Sequence, residues 1–251
     1  MKLIQITDLH LRGNGGLICG LDPEANLKKA VADINRNHSD ADLVVVSGDL
    51  SDDGSPASYR LLSTILETLV PPARLMLGNH DERAAFSAVF PNATAEDGFV
   101  QSVQDIGGVR LVFLDTLDDG AVAGKLCERR LAWLDQRLGE AAGDAFVFMH
   151  HPPFNIGFPP LDAVKLAEPR AFVDILRRRG NVRHIFAGHV HRLCSGIWNG
   201  IAFNTGRGTN HQTAPLFGAK DFAVGFEKPT YNVILIETAS TIVHAQEIVE
   251  A

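Results

Sequence analysis

Five short stretches carry side chains able to hold a metal or move a proton. They are Asp8-Leu9-His10, Gly48-Asp49, Gly78-Asn79-His80-Asp81, His150-His151-Pro152-Pro153 and Gly188-His189-Val190-His191. Each alone reads as turn chemistry, because Gly, Asn and Asp favour turns. Together they place six of the ten histidines directly after apolar runs, where burial without partners costs free energy. Asp8, His10, Asp49, Asn79, His150, His189 and His191 make seven donors, whereas one tetrahedral zinc needs three or four. Seven donors divide into two sites if one carboxylate is shared. Carboxylate, imidazole and amide donors without thiolate suit divalent or mixed-valence Fe, Mn, Zn or Co.

The elements that must position these residues are short apolar runs. They cover 2–7, 42–48, 73–78, 109–115, 145–150, 183–188, 200–206 and 231–237. Runs that are apolar throughout imply strands buried on both faces. Helical periodicity appears over 23–36, 55–69, 128–141 and 169–180, with Pro near the start of each except 128–141. Strands alternating with helices imply parallel strands joined by crossovers. The late strands lack intervening helices and suggest a second, more antiparallel sheet packed on the first. The expected fold is α/β: a four-layer α/β/β/α sandwich with two mixed sheets. No linker or repeat divides it, so 1–251 reads as one domain, with 206–251 supplying a rim loop and the final strands. In open α/β sheets ligands bind at the carboxyl ends of strands, and all five stretches lie there.

The bulk composition narrows the partners. Thirty acidic residues against twenty-three basic ones give a net charge of −7, and no Lys/Arg block stands out. Neither a nucleic-acid polymer nor an anionic membrane is favoured as the main partner. Three dispersed cysteines fit a reducing compartment, and no leader or membrane span is evident, so the expected location is cytoplasmic.

The five stretches, in this order, resemble the signature blocks of the calcineurin-like metallophosphoesterase superfamily. "MHHPP" and "GHVHR" are similar to its class III cyclic nucleotide phosphodiesterase and glycerophosphodiesterase branch. The resemblance implies a metallo-dependent phosphatase fold. It also implies that Asp8, His10 and His191 hold one metal ion, that Asn79, His150 and His189 hold the other, and that Asp49 bridges. His80 then faces the phosphate rather than a metal. Asp81 orients His80 or closes the turn. His151 has no ligand role and sits behind the ligands or serves the fold.

The implied activity is hydrolysis of cyclic nucleotides or small glycerol-type phosphodiesters, with a metal-bridging hydroxide attacking phosphorus and His80 assisting the leaving oxygen. The alternatives are a phosphomonoesterase of the same superfamily and a non-catalytic scaffold of the same fold. The protein phosphatase pattern GDxxDRG meets "GDLSDDG" here, which lacks its arginine. A homodimer or higher homo-oligomer is compatible with the resemblance. Substrate choice falls to loops: a glycine-rich lip at 13–21, a rim at 155–169, and the 206–215 stretch. Asn210, His211 and Arg12 are candidate substrate contacts, each with a turn or surface role as the alternative. Arg192 shares the choice between phosphate and surface. The 216–233 stretch reads as a hairpin at the rim or at a dimer contact.

Overall fold

The structure is a computed structural model that describes residues 1–94 and 97–248; residues 249–251 of the expected C-terminal segment lie outside the described residues. Its first strand, β1 (Lys2–Ile6), shows why the apolar runs are continuous. Leu3 clusters with Phe113, Phe148 and Phe186, whereas Ile4 and Ile6 cluster with Leu27, Val31 and Ile34 of helix α1 (Pro23–Asn37). In β2 (Leu43–Ser47), Leu43 and Val45 turn to the first layer and Val44 and Val46 to the second. A strand covered on both faces is apolar at every position.

The first sheet has the order β13-β12-β1-β2-β3, with β3 at Ala73–Met76, β12 at Thr230–Ile236 and β13 at Thr241–Glu247. Strands β1, β2 and β3 run parallel. The second sheet has the order β4-β5-β6-β7-β9-β8: β4 Ser102–Ile106, β5 Val109–Leu114, β6 Ala145–Met149, β7 Val182–Ala187, β8 Ser195–Trp198 and β9 Ile201–Thr205. Its centre, β5-β6-β7-β9, is parallel, and β4 and β8 are antiparallel edges. A separate two-residue ladder joins β10 (Gln212–Thr213) to β11 (Val224–Gly225).

Helices cover both outer faces. α1 and α2 (Pro56–Leu66) lay Leu27, Val31, Tyr59 and Leu62 on the first sheet. α4 (Glu128–Gly139) and α6 (Arg170–Arg179) lay Leu134, Phe172 and Leu176 on the second. The layers are therefore α/β/β/α, with two mixed sheets. Asp22 and Ser55 accept the Ala25 and Ser58 N–H groups and start α1 and α2, each followed by Pro in the first turn.

Three details differ from the sequence expectation. The second sheet is parallel at its centre, and the late antiparallel strands instead join the first sheet. β12 pairs with β1 from Lys2↔Leu235 onward and covers an edge that would otherwise be open. Helix α2 stops at Leu66, three residues early. The strands β4, β8 and β13 and the short helices α3 (Arg83–Val89) and α5 (Pro159–Asp162) carry too little periodicity to stand out. β13, for example, leaves every one of its positions exposed or half-exposed. Among the described residues, no helix is long and apolar enough to cross a membrane.

Candidate metal centre and substrate cleft

Strands β1, β2 and β3 of one sheet and β6 and β7 of the other each end just before one of the five stretches. The loops are pinned together by main-chain bonds. Asp8 and His10 donate their N–H groups to Gly48 O and Asp49 O at 3.0 and 2.9 Å, and Gly188 donates to His150 O at 3.0 Å. His189 N–H reaches Asp8 Oδ1 at 3.1 Å, and His80 N–H reaches Asp49 Oδ1 at 2.9 Å.

The backbone is unusual at these residues. Asp8, His10, Asp49, His189 and His191 all adopt left-handed conformations, with φ of 55, 50, 48, 68 and 47°. Each such residue costs on the order of 1 kcal/mol, and such strain gathers at functional sites. The glycines beside them are required by contact. A Cβ on Gly78 would lie 2.2 Å from Asp49 Oδ1, and one on Gly188 would lie 2.1 Å from Thr7 Oγ1.

The imidazoles are oriented from behind. His150 Nδ1 donates to Ser47 O and His191 Nδ1 to His211 O, both at 2.9 Å, and His10 Nδ1 donates to Asp52 Oδ1 at 3.2 Å. Each ring therefore turns its Nε2, the nitrogen left out of these bonds, toward the centre. There His10 Nε2 and His191 Nε2 face each other at 3.1 Å. Asp49 Oδ2 lies 3.7 Å from His10 Nε2 and 3.4 Å from His150 Nε2, between the two halves of the cluster. Asn79 Oδ1 is 3.3 Å from His150 Nε2, and Asp8 Oδ1 is 3.4 Å from His191 Nε2.

This is a buried gathering of acceptors short of donors. Asp8 Oδ2 and His189 Nε2 are buried with no hydrogen-bond partner. Asp8, His10, Asp49 and His191 present ligand atoms within 4.8 Å of one another. The donor set and the orphaned atoms fit metal cations. The electrostatics agree. Burial opposes charge on Asp49 and Asp8, yet the neighbouring imidazoles, His150 for Asp49 and His191 for Asp8, hold both carboxyls low. Burial would lower His150 too, but the charge of Asp49 pushes it up to about 9. The negative field that holds a proton there also holds a cation.

His80 stands apart from the cluster. Its side chain is 43% exposed, its Nδ1 sits 3.2 Å from Asp52 O, and its ring lies 4.7 Å from that of His10. The Asp81 carboxylate makes its hydrogen bonds elsewhere than on the His80 ring. It accepts the N–H groups of Gly78, Leu50 and Ser51 at 2.8, 3.1 and 3.0 Å, and Tyr59 Oη at 3.0 Å. Of the two roles the sequence left open, the geometry is that of closing the turn. Burial and nearby Asp49 push the Asp81 carboxyl up to about 7. His151 is buried beside His150 and His189, with Nδ1 2.8 Å from Thr116 Oγ1 and Nε2 donating to Val122 O at 3.1 Å.

The candidate substrate contacts separate. His211 lines the cavity beside the cluster, its ring 4.5 Å from His191. Asn210 is buried and committed elsewhere. It accepts from Asn26 Nδ2 at 2.9 Å and donates to Ile18 O at 3.4 Å. The Arg12 guanidinium is held on Asp52 Oδ2 at 2.6 and 2.9 Å. Arg192 reaches Thr213 O at 2.8 Å and Glu227 at 3.0 Å, so it ties the β10–β11 hairpin to the His191 loop. The residue that sequence reasoning missed is Asp52, which touches His10, Arg12 and His80. Its signal was the second aspartate of "GDLSD". A cavity of about 440 Å³ opens over the cluster, with His80, Val122, Leu161, Val164, His211 and Phe222 among its walls.

The sequence model of the family described as calcineurin-like phosphoesterases matches residues 1–193. A probable cyclic nucleotide phosphodiesterase from Rhodopseudomonas palustris is 41% identical over 250 residues, covering 97% of this chain and 91% of the relative. A probable glycerophosphodiester phosphodiesterase, GpdQ, from Arcobacter nitrofigilis is 30% identical, covering 85% and 80%. Among solved structures, a dimetal phosphatase from Danio rerio superposes with a TM-score of 0.73 at 17% identity, covering 99% of this chain and 96% of that one, a likeness of fold alone.

Proposed function

The chain belongs to the calcineurin-like phosphoesterase family, and from that footing we propose that it is a dinuclear metal-dependent hydrolase of small phosphodiesters. Two of the relatives it matches carry names for cyclic nucleotide and glycerophosphodiester hydrolysis, and both substrate classes are small diesters. The observation that carries the metal reading is the facing pair of Nε2 atoms on His10 and His191, 3.1 Å apart, beside the partnerless Asp8 Oδ2. In this reading Asp8, His10 and His191 would hold one cation, Asn79, His150 and His189 would hold the other, and Asp49 would serve both. Bound there, two ions of Fe, Mn, Zn or Co would supply Lewis acidity toward phosphoryl oxygens and lower the pKa of a water toward neutrality.

The chain's own residues do the rest. Ser47 O, His211 O and Asp52 hold the three imidazoles so that their Nε2 atoms converge. Asp81 fixes the backbone of Gly78, Leu50 and Ser51 and thereby sets Asn79 beside Asp49. His80 faces the cavity and delivers a proton from its ring to the departing ester oxygen. His211 borders the same space and orients the phosphate. The free, separated cysteines accord with a reducing, cytoplasmic setting.

The test is hydrolysis by metal-stripped protein reloaded with Mn²⁺ and offered cyclic nucleotides, glycerophosphoethanolamine and p-nitrophenyl phosphate. Diester turnover above monoester turnover, lost in Asp49→Ala, is the expected result. Turnover of the monoester alone would move the chain to a phosphomonoesterase, and none at all despite bound metal would make it a scaffold.

A further inference from the structure

The cavity over the cluster has two unlike halves. One carries the histidines and carboxylates. The other is walled by Ile18, Val122, Pro160, Leu161, Val164 and Phe222, none of which has a side-chain hydrogen-bonding group. This wall is not a chance exposure of apolar residues. Four of its pieces come from three separate loops and helix α5, and each is fixed by a residue next to a site residue.

Val122 O is held by His151, the neighbour of His150, at 3.1 Å. Ile18 O is held by Asn210, the neighbour of His211, at 3.4 Å. Leu161 packs in a small cluster with Phe158 and Val190, and Val190 lies between His189 and His191. Phe222 is in the β10–β11 connection, which Arg192, the neighbour of His191, ties down through Thr213 O and Glu227. The apolar wall is thus built onto the same loops that present the donors. Such preorganisation lowers the cost of binding.

Resting on the phosphodiesterase reading above, we propose that this wall selects diesters bearing a flat ring, namely nucleotides, without reading the base, and that Phe222 is its specificity-determining residue. A glycerol or ethanolamine substituent would leave its polar groups unpaired against the wall. A purine or pyrimidine gains by packing there, and an aromatic side chain such as Phe222 accepts any base because every base has a π-face. With no side-chain donor or acceptor among these six residues, the wall has little means of telling one base from another. The volume of about 440 Å³ suits a ligand of this size.

The experiment has two readouts. In the first, Mn²⁺-loaded protein is assayed for kcat/KM on 3′,5′-cyclic AMP, GMP and CMP and on glycerophosphoethanolamine. In the second, calorimetry measures binding of 5′-AMP and of glycerol 3-phosphate, independently of turnover. The three nucleotides should lie within about tenfold of one another and well above the glycerol diester. Phe222→Ala should cut that preference roughly tenfold to a hundredfold, mostly through KM, and weaken 5′-AMP binding by a similar factor. Val122→Ser should act in the same direction. Equal losses on nucleotide and glycerol diesters in Phe222→Ala, or a base spread far beyond tenfold, would overturn the proposal. Phe222-dependent binding of 5′-AMP with no diester turnover would sustain the wall's selectivity and sink the phosphodiesterase reading instead.

Discussion

Asp52 Oδ1 accepts the Nδ1 proton of His10 at 3.2 Å, and the same residue's carbonyl oxygen lies 3.2 Å from His80 Nδ1. One residue thus sets a candidate metal ligand and the candidate acid. Burial works against its charge, but His10 and Arg12 draw the Asp52 carboxyl down to about 2. Replacing it by Asn keeps the shape and removes the charge. Asp52→Asn should weaken metal binding or turnover by about 10- to 100-fold, the usual effect of a partner behind a ligand. Metal titration by calorimetry reads this directly. An unchanged affinity together with an unchanged rate would remove Asp52 from the site.

Stripping and restoring metal should move thermal stability. At a concentration a hundredfold above Kd, a cation that binds only the folded chain adds about 2.7 kcal/mol, or roughly 5–10 °C of Tm for a chain this long. Mn²⁺, Zn²⁺, Fe²⁺ and Co²⁺ are the ions to scan after chelation. His191→Ala should shrink the shift. A Tm indifferent to all four ions would contradict the metal assignment.

His80→Ala should spare metal affinity and remove most activity on alkyl diesters, by roughly 10²–10⁴-fold for a lost general acid. Bis(p-nitrophenyl) phosphate has a leaving group that needs no proton, so its loss should be much smaller. Equal losses on the two substrates are the outcome that would falsify the leaving-group role.

Asp81 anchors three buried N–H groups and the Tyr59 hydroxyl. Asn in its place offers one oxygen where the carboxylate offers two. Asp81→Asn should cost about 2–3 kcal/mol in urea unfolding, from donors left unpaired. Tyr59→Phe should cost about 1 kcal/mol, because it also strands the Glu82 N–H that bonds to Tyr59 Oη. A loss of activity without any loss of stability in Asp81→Asn would point to a role beyond holding the turn.

His184 lies far from the cluster, stacked on Phe186 with its ring 4.3 Å away and its Nε2 2.7 Å from Asn204 Oδ1. Burial lowers its pKa below the ordinary histidine value of about 6.5. Above that value neither state is protonated and the group contributes nothing. Below it the unfolded chain binds a proton that the folded chain resists, so stability falls as pH drops from 7 toward 5. His184→Gln should flatten part of that fall. Parallel curves for the two proteins would show that His184 has no share in it.

Much of this protein was legible along the chain because the information is local. A strand covered on both faces must be apolar throughout, so β1, β2, β6 and β7 announced themselves within a residue or two. Helical periodicity with Pro near the start placed α1 and α2. The seven donors stood out because five stretches together put Asp, Asn and His where burial without partners is costly, and their order carried the family resemblance. What stayed hidden depends on neighbours distant in sequence. No local pattern could say that β12 lies against β1, since that pairing joins residues more than two hundred positions apart. Nor could it place Arg12 on Asp52, or commit Asn210 to Asn26 and Ile18, because each choice is made by a partner that only folding brings near. The sequence by itself determined which residues could do the chemistry and which strands would carry them. The tertiary structure decided which way each imidazole faces and which apolar loops wall the cavity, because both are set by hydrogen bonds and packing between loops that the chain keeps far apart.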